Sequence, residues 1–465
     1  MSRNFAHLVQ EVAARRPTHH ALRWDGGAMT YRALMSSAVD FAQILERRHD
    51  FVPGQRLALS IPNRPEFVVA VLAGFMLDAT VAPLDVLLKE EERGDILADL
   101  RAAVLVDGHD FVRLPSPTPP DPKAPALVLY TSGSTGRPKG AVLSHAALEW
   151  ANRMWVDPII GLDESDLLLA ALPLAHAFGI NGAMFAPLLA GATMRLVERF
   201  VPERVAEIIA REPVTVMPGV ATMFQRLLDV PGFTGGKKLR RGVSGAAPCS
   251  WELAEAWRAR TGTRIVRGYG STELFRPISY LAADPAEEPA SIGRAVPGVD
   301  LRLTDEDGSA VPAGEMGELW IRTPAVMDGY LDNPEETRAV LVDGWFRTGD
   351  LARVSPEGFV TIVGRVRERI KRGGYSVFPA EVESVLLAHP DVAEAAVAGV
   401  PDPALGEEVA AWVALRPGAA AGAETLMVWC RERLAAFKYP RRVTLVEALP
   451  RSATGKVLKA KLGEP

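Results

Sequence analysis

The eleven residues from Tyr130 to Gly140, YTSGSTGRPKG, have the composition of a loop that could hold an anion. Thr131, Ser132, Ser134 and Thr135 supply hydroxyls, while Gly133, Gly136 and Gly140 lack a Cβ and let backbone N–H groups approach a phosphate closely. Lys139, behind the fixed turn at Pro138, adds a point charge. Gly/Ser-rich surface turns share this composition, so the string alone leaves both readings open. A Walker A loop is excluded, because its Lys directly follows the second Gly and here Arg137 and Pro138 intervene.

Four further strings carry chemistry-bearing side chains. GYGSTE (Gly268 to Glu273) offers an aromatic face at Tyr269, hydroxyls at Ser271 and Thr272, and at Glu273 a hard oxygen ligand suited to Mg²⁺. A capped turn would have the same residues. WFRTGDL presents Asp350, whose carboxylate can accept from two vicinal ribose hydroxyls or simply cap its own turn. LPLAHAFG sets His176 among apolar residues, where most histidines are satisfied core groups. PRSATGK ends on Lys456, by itself an ordinary terminal lysine.

Elements that would position these residues can be read from the apolar pattern. RLALSIPN (56–63), EFVVAVLAGFML (66–77), ATVAPL (79–84) and AAVLVDG (102–108) alternate as strand, helix, strand and strand. This predicts an α/β fold, a parallel sheet with helices on both faces. A surface helix is expected over 30–47, and Pro-rich 114–125 reads as an extended linker into the loop. Later strands are expected at Val214 to Met217, before a Pro218-Gly219 turn, and in LRRGVSGAAPC (239–249). RIVRGYGSTE (264–273) reads as a strand entering a glycine turn. Ligands in such sheets collect at loops leaving the carboxyl ends of strands, so the loops at Thr131, Ser244 and Tyr269 are expected to converge.

From Asp300 the pattern changes to short alternating strands with DEDG and SPEG turns. After Gly364 come the charged run RVRERIKRGGY and a unit of mixed helices and strands. We therefore expect a large domain over 1–364, with a β-rich subdomain at about 300–364, and a small α+β domain over 365–465.

Composition narrows the function. A net charge of −5, from 52 Lys+Arg against 57 Asp+Glu, provides no basic field for nucleic acid. Cys249 and Cys430 have neither C-x-x-C spacing nor a His cluster, which argues against zinc or a disulfide framework and for a reducing cytoplasm. The N-terminus lacks the apolar run of a secretory signal. Leu167 to Met194 is uncharged and long enough to span a bilayer. Pro173, Gly179, Gly182, Pro187 and Gly191 punctuate it as a buried strand, loop and short core helix, so no transmembrane segment is expected.

Taken in order, YTSGSTGRPKG, LPLAHAFG, SGAAP, GYGSTE, WFRTGDL, GRVRERIKRGGY, PAEVE and PRSATGK resemble the motif series of the adenylate-forming superfamily, and of its acyl- and aryl-CoA synthetases in particular. The resemblance implies activation of a carboxylic acid by ATP with Mg²⁺ to an acyl-adenylate, with release of pyrophosphate. It then implies acyl transfer to the thiol of coenzyme A; the alternative is a stand-alone adenylating enzyme that loads an acyl carrier protein thiol or activates an unusual acid. Thr131, Ser132, Gly133, Ser134, Thr135, Gly136 and Lys139 would wrap the β- and γ-phosphates. Thr272 would meet the α-phosphate and Glu273 would hold the metal.

Gly245, Ala246, Ala247 and Pro248, with Gly268, Tyr269, Gly270 and Ser271, would line the adenine. Asp350, Ile362 and Arg365 would serve the ribose side. Lys456 would contact the substrate carboxylate and the α-phosphate, and a rotation about Arg365 to Arg367 would replace it with Gly373, Gly374 and Tyr375 for thiolation. Arg367 stands where the family usually has Asp or Lys. His176 would gate the meeting of acyl pocket and thiol tunnel, with Phe178, Asn181, Gly219, Val220, Ser244, Leu274 and Arg276 lining a pocket for a fatty or aromatic acid. Amino-acid-activating relatives typically carry an Asp in the station of LPLAHAFG, and this chain does not. Arg276 would either pair with a second substrate anion or serve a structural purpose. A monomer or homodimer is expected.

Overall fold

Short Val/Leu/Ala runs separated by helices bury both faces of their strands, and this pattern builds two seven-stranded sheets. The computed structural model describes residues 4–121, 123–132, 138–284, 287–312, 314–451 and 457–463. Its contacts group the chain into two units: 1–300 with 321–346, and 301–320 with 347–465. The β-rich stretch from 347 is thus grouped with the C-terminal region. The domain break expected at 364/365 returns below as a proposal.

In the first unit, one sheet runs in the order Arg264–Val266, Arg241–Ser244, Val216–Gly219, Leu167–Ala170, Thr193–Leu196, His20–Trp24, Gly27–Thr30. All neighbours are parallel except the last pair. The second sheet runs Gly329–Tyr330, Pro138–Leu143, Leu127–Ser132, Thr80–Pro83, Arg56–Ser60, Val104–Asp107, Asp110–Arg113. Its central four strands are parallel and its edges antiparallel. These are the parallel α/β sheets expected. Tyr31–His49 is the surface helix, started by Thr30 Oγ1 accepting from Ala33 N at 3.2 Å. The helix Pro65–Met76 buries Phe67 through Phe75 all round, as a core helix does.

Two expectations are corrected. The run Val214 to Met217 is displaced: the strand is Val216–Gly219 and continues through the residues read as a turn. Pairing with Leu167–Ala170 is recorded only at Val216↔Leu168, so the missing N–H of Pro218 falls where that side of the ladder has ended. Residues 268–271 are not a glycine turn but a strand, antiparallel to Phe275–Ser279. A Cβ on Gly270 would come within 1.7 Å of the Phe275 carbonyl oxygen, so the glycine is there for backbone approach rather than for turning.

Leu167 to Met194 resolves into the strand Leu167–Ala170, a loop, buried helical turns over Gly179–Ala190 and the start of Thr193–Leu196. Among the described residues no helix is long and apolar enough to cross a membrane.

In the second unit, Asp350–Val354 pairs antiparallel with Val360–Arg365, closed by the SPEG turn with Ser355 N donating to Phe359 O. The DEDG turn is likewise closed by Asp305 N donating to Ser309 O. A further sheet orders Tyr375–Val377, Ile370–Arg372, Gly406–Leu415 and Val392–Asp402, with Arg442–Val446 parallel to Gly406–Leu415. Its face packs on Val382 and Leu386 of the helix Pro379–Leu387 and on Leu426 and Cys430 of the helix Ala423–Arg431.

Candidate functional site

The loop-bearing hairpin pairs further than its sequence suggested. Thr131 lies opposite Lys139 and Ser132 opposite Pro138, so the strands reach well into the motif. Gly133, Ser134, Thr135 and Gly136 lie outside the described residues, as does Lys456. Lys139 is well covered; its Nζ sits 2.7 Å from Glu336 Oε2 and 5.6 Å from the centre of the Tyr330 ring. Tyr330 Oη in turn donates to Glu273 Oε1 at 2.9 Å.

Backbone bonds fix this arrangement. Met327 N donates to Glu273 O, while Asp328 N and Leu331 N donate to Val142 O and Gly140 O. The segment 327–331 therefore ties the residue expected to hold a metal to the strand that carries the loop lysine. Glu273 Oε2 has no hydrogen-bond partner among the described residues. One open carboxylate oxygen suits Mg²⁺, which binds through one or two carboxylates and otherwise keeps waters and phosphate oxygens. Among the described residues no cluster of three or more His, Cys, Asp or Glu could cage a metal.

Ser244, at the end of its strand, leads to Gly245 and to Ala246 in a left-handed conformation, φ +64°. A non-glycine residue there is strained, which is usual where a loop is shaped for a ligand. A Cβ on Gly245 would lie 3.3 Å from the Phe178 ring and 3.2 Å from Arg276 Nη1. Phe178 tilts against Trp155 with centroids 5.8 Å apart, and the Arg276 guanidinium lies 5.3 Å over the Trp155 ring. Asn181 is 2% exposed, and its Oδ1 has no partner among the described residues. Leu274 is fully buried, and Gly219 and Val220 end one strand and cap the helix Ala221–Leu228. Sequence reading missed Trp155, which is fully buried and packs behind Phe178 and Arg276.

Arg276 is tied down. Its Nη1 donates to Ser244 O at 2.8 Å, Nη2 to Val266 O at 3.1 Å and Nε to Ser279 Oγ at 3.0 Å. Burial lowers the guanidinium to about 9, against the opposing charge of Glu287, so it stays cationic at neutral pH. Of the two readings of Arg276, this geometry supports the structural one: it buttresses two strand ends, Ser244 and Val266, that lead into the loops expected at the adenine.

His176 has a partner that its motif did not announce. Its Nε2 lies 2.6 Å from Asp85 Oδ2, and Asp85 Oδ1 accepts from Leu87 N at 2.8 Å. Burial pushes the Asp85 carboxyl up, but the His176 and Leu87 hydrogen bonds outweigh this and hold it below the usual range. The available signal was position: Asp85 follows the strand Thr80–Pro83 at its carboxyl end, where ligand loops gather.

In the second unit, Arg365 Nε lies 2.9 Å from Asp350 Oδ1, across the directly paired positions Asp350↔Arg365. Asp350 N also donates to Thr348 Oγ1. Ile362 is on the same hairpin, paired with Ala352. Gly373 and Gly374, φ +53° and +83°, form a two-residue hairpin turn between Arg372 and Tyr375, as a primed turn requires. Exposed Tyr375 stacks on Phe437 at 4.5 Å. Arg367 falls in the single helical turn Val366–Glu368.

The pattern of the family described as AMP-binding enzyme matches residues 9–114 and 107–331, and that of its C-terminal domain matches residues 381–456. The chain belongs to the AMP-binding enzyme family. Within the adenylate-forming superfamily, this AMP-binding enzyme is 36% identical over 475 residues to a feruloyl-CoA synthase of Amycolatopsis sp, covering 96% of both chains. Its fold superposes on ATP-bound MatB of Rhodopseudomonas palustris with TM-score 0.89 at 30% identity, covering 98% of this chain and 97% of that one. It also matches o-succinylbenzoate CoA synthetase of Bacillus subtilis in complex with its acyl-adenylate, TM-score 0.88 at 29% identity, covering 98% of each.

Proposed function

We propose that this AMP-binding enzyme is an ATP-dependent acid–CoA ligase for a fatty or aromatic acid. The observation that carries the reading is the Glu273–Tyr330–Lys139 chain, which brings a metal-competent carboxylate and the phosphate-loop cation together. Family membership and the full-length likeness to a feruloyl-CoA synthase support it. Mg²⁺ held at Glu273 would neutralise charge on the ATP phosphates.

In this reading the backbone and hydroxyls of Thr131–Gly136, together with Lys139, hold the leaving pyrophosphate. Thr272 bonds the α-phosphate, Gly245–Pro248 and Tyr269 enclose the adenine, and Asp350 with Arg365 receives the ribose. Lys456 offsets the charge that builds on the non-bridging oxygens when the substrate carboxylate attacks phosphorus. The carboxylate oxygen bonds to the α-phosphorus as the bond to pyrophosphate breaks. In the second step the pantetheine sulfur bonds to the acyl carbon, AMP leaves, and the thiol proton is released. The small domain 365–465 turns about Arg365–Arg367 between steps, exchanging Lys456 for Gly373, Gly374 and Tyr375.

Phe178, half-buried, would give the pocket an aromatic wall, with fully buried Trp155 packed behind it. A carrier-protein thiol is the second acceptor to test. Both cysteines are free, and burial raises both thiols to about 11, in keeping with a reducing cytoplasm. The protein acts as a monomer or homodimer.

The test is pyrophosphate release over a panel of acids, with and without CoA. Release with acid alone and a free-CoA thioester with CoA are expected. Adenylate formation without any free-CoA thioester would overturn the CoA assignment and turn attention to carrier proteins.

A further inference from the structure

His176 sits on a loop that the opposite sheet holds at two points. The loop, residues 172–179, leaves the strand Leu167–Ala170 of one sheet. Asn63 and Asp85 follow the strands Arg56–Ser60 and Thr80–Pro83 of the other. Asn63 is buried and fully used: its Nδ2 donates to Leu172 O at 2.7 Å and Val197 O at 3.2 Å, and its Oδ1 accepts from Leu174 N at 2.8 Å. Asn63 thereby satisfies loop backbone groups on both sides of Pro173. Gly179 lets the far end fold back, since a Cβ there would come within 2.0 Å of Pro173 O. His176 N also donates to Pro173 O, so the loop backbone is closed on itself beneath the imidazole.

Asp85 acts on the ring. It is 8% exposed, and each of its oxygens is occupied: Oδ1 by Leu87 N and Oδ2 by His176 Nε2. A carboxylate only accepts, so the proton of this bond is on Nε2 and the lone pair of a neutral ring is on Nδ1. Nδ1 has no partner among the described residues. A histidine serving only to fill apolar space needs no buried carboxylate to fix its tautomer.

Resting on the ligase reading above, we propose that Asp85 is a positioning residue for His176 in acyl transfer to the thiol, with Asn63 holding the loop that carries it. In that step the thiol S–H proton is lost as the carbon–sulfur bond forms and the bond from the acyl carbon to the phosphate oxygen of AMP breaks. The Asp85–His176 pair keeps Nδ1 available to take that proton, which then passes to solvent.

Asp85→Asn is the informative variant. Asn keeps the shape and the oxygen that accepts from Leu87 N, but its amide donates to Nε2 and drives the ring proton to Nδ1. Each half-reaction is measured separately: adenylation by pyrophosphate release, and transfer from supplied acyl-adenylate to CoA. The expected result for Asp85→Asn is a loss of at least about tenfold in kcat for transfer, with KM for ATP in adenylation unchanged within about twofold. The double variant Asp85→Asn/His176→Ala should transfer no more slowly than His176→Ala alone, because the two residues act as one unit.

¹⁵N-histidine NMR gives a readout independent of activity: the His176 tautomer should be Nε2–H in the parent and Nδ1–H in Asp85→Asn. Normal transfer by Asp85→Asn, multiplicative losses in the double variant, or an unchanged tautomer would each overturn the proposal. If instead the parent makes adenylate but no CoA thioester, the CoA assignment fails. The NMR result, and transfer to a carrier-protein thiol, then decide the role of Asp85.

Discussion

Glu336 already occupies Lys139, the cation assigned to the phosphates of ATP. Asn333 Oδ1 accepts from Glu336 N and sets it in the first turn of the helix Pro334–Val340, so the carboxylate is presented rather than merely nearby. ATP must displace this carboxylate or bind beside it. Either way, like charge opposes the nucleotide. A partly covered ion pair of this kind contributes about 1 kcal/mol or less, so Glu336→Gln should lower KM for ATP about two- to fivefold with kcat little changed. Initial rates of pyrophosphate release against ATP concentration measure it; a raised KM would mean that Glu336 steadies Lys139 for the phosphate instead. At this scale the sequence was legible wherever chemistry is local. Thr131, Glu273 and Asp350 stand in strings that offer them as candidates, each beside a plain turn reading. Asp85 does not, because the histidine that gives it meaning lies 91 residues away. Arg276 was legible as a cation near the pocket, but not that two backbone carbonyls and a serine hydroxyl hold it.

Elements were readable where burial alone decides them. Apolar runs such as Leu57–Leu59 and Val104–Val106 became parallel core strands, and the apolar run from Phe67 to Met76 became a core helix. Residues 268–271 were misread because glycine there serves close backbone approach, which composition cannot tell from a turn. The C-terminal sheet has its own anchor in Arg372, whose Nη2 lies 2.8 Å from Glu408 Oε2 across neighbouring strands. Burial raises the Glu408 carboxyl, but Arg372 and the Val409 amide more than offset this and hold it below the usual carboxylate range. A carboxyl depressed in the fold contributes stability above its unfolded value, near pH 4.3, and that contribution is lost as pH falls through the folded value. Glu408→Gln should therefore cost about 2 kcal/mol at pH 7. The gap from the parent should narrow as pH drops below about 4, as read from urea midpoints across pH; a gap constant from pH 7 to pH 3 would contradict the assignment.

At the scale of the whole molecule, the reading requires one chain to run two reactions with different residues. Lys456→Ala should lose adenylation by about 100-fold or more, as expected for removal of a cation from a developing anion, while still converting supplied acyl-adenylate to thioester. Loss of both half-reactions would count against that division of labour. The order of the motifs was legible from end to end, but the sequence could not show that loops from two sheets are clamped together. Asn63 and Asp85 come from one sheet, and the loop they grip comes from the other. This limits redesign of acid choice by exchanging segments with relatives. A transplanted 172–179 loop would arrive without the two distant side chains that shape it. Unless positions 63 and 85 already match the donor, or are moved with it, the graft would lose its imidazole geometry before its new pocket could be judged.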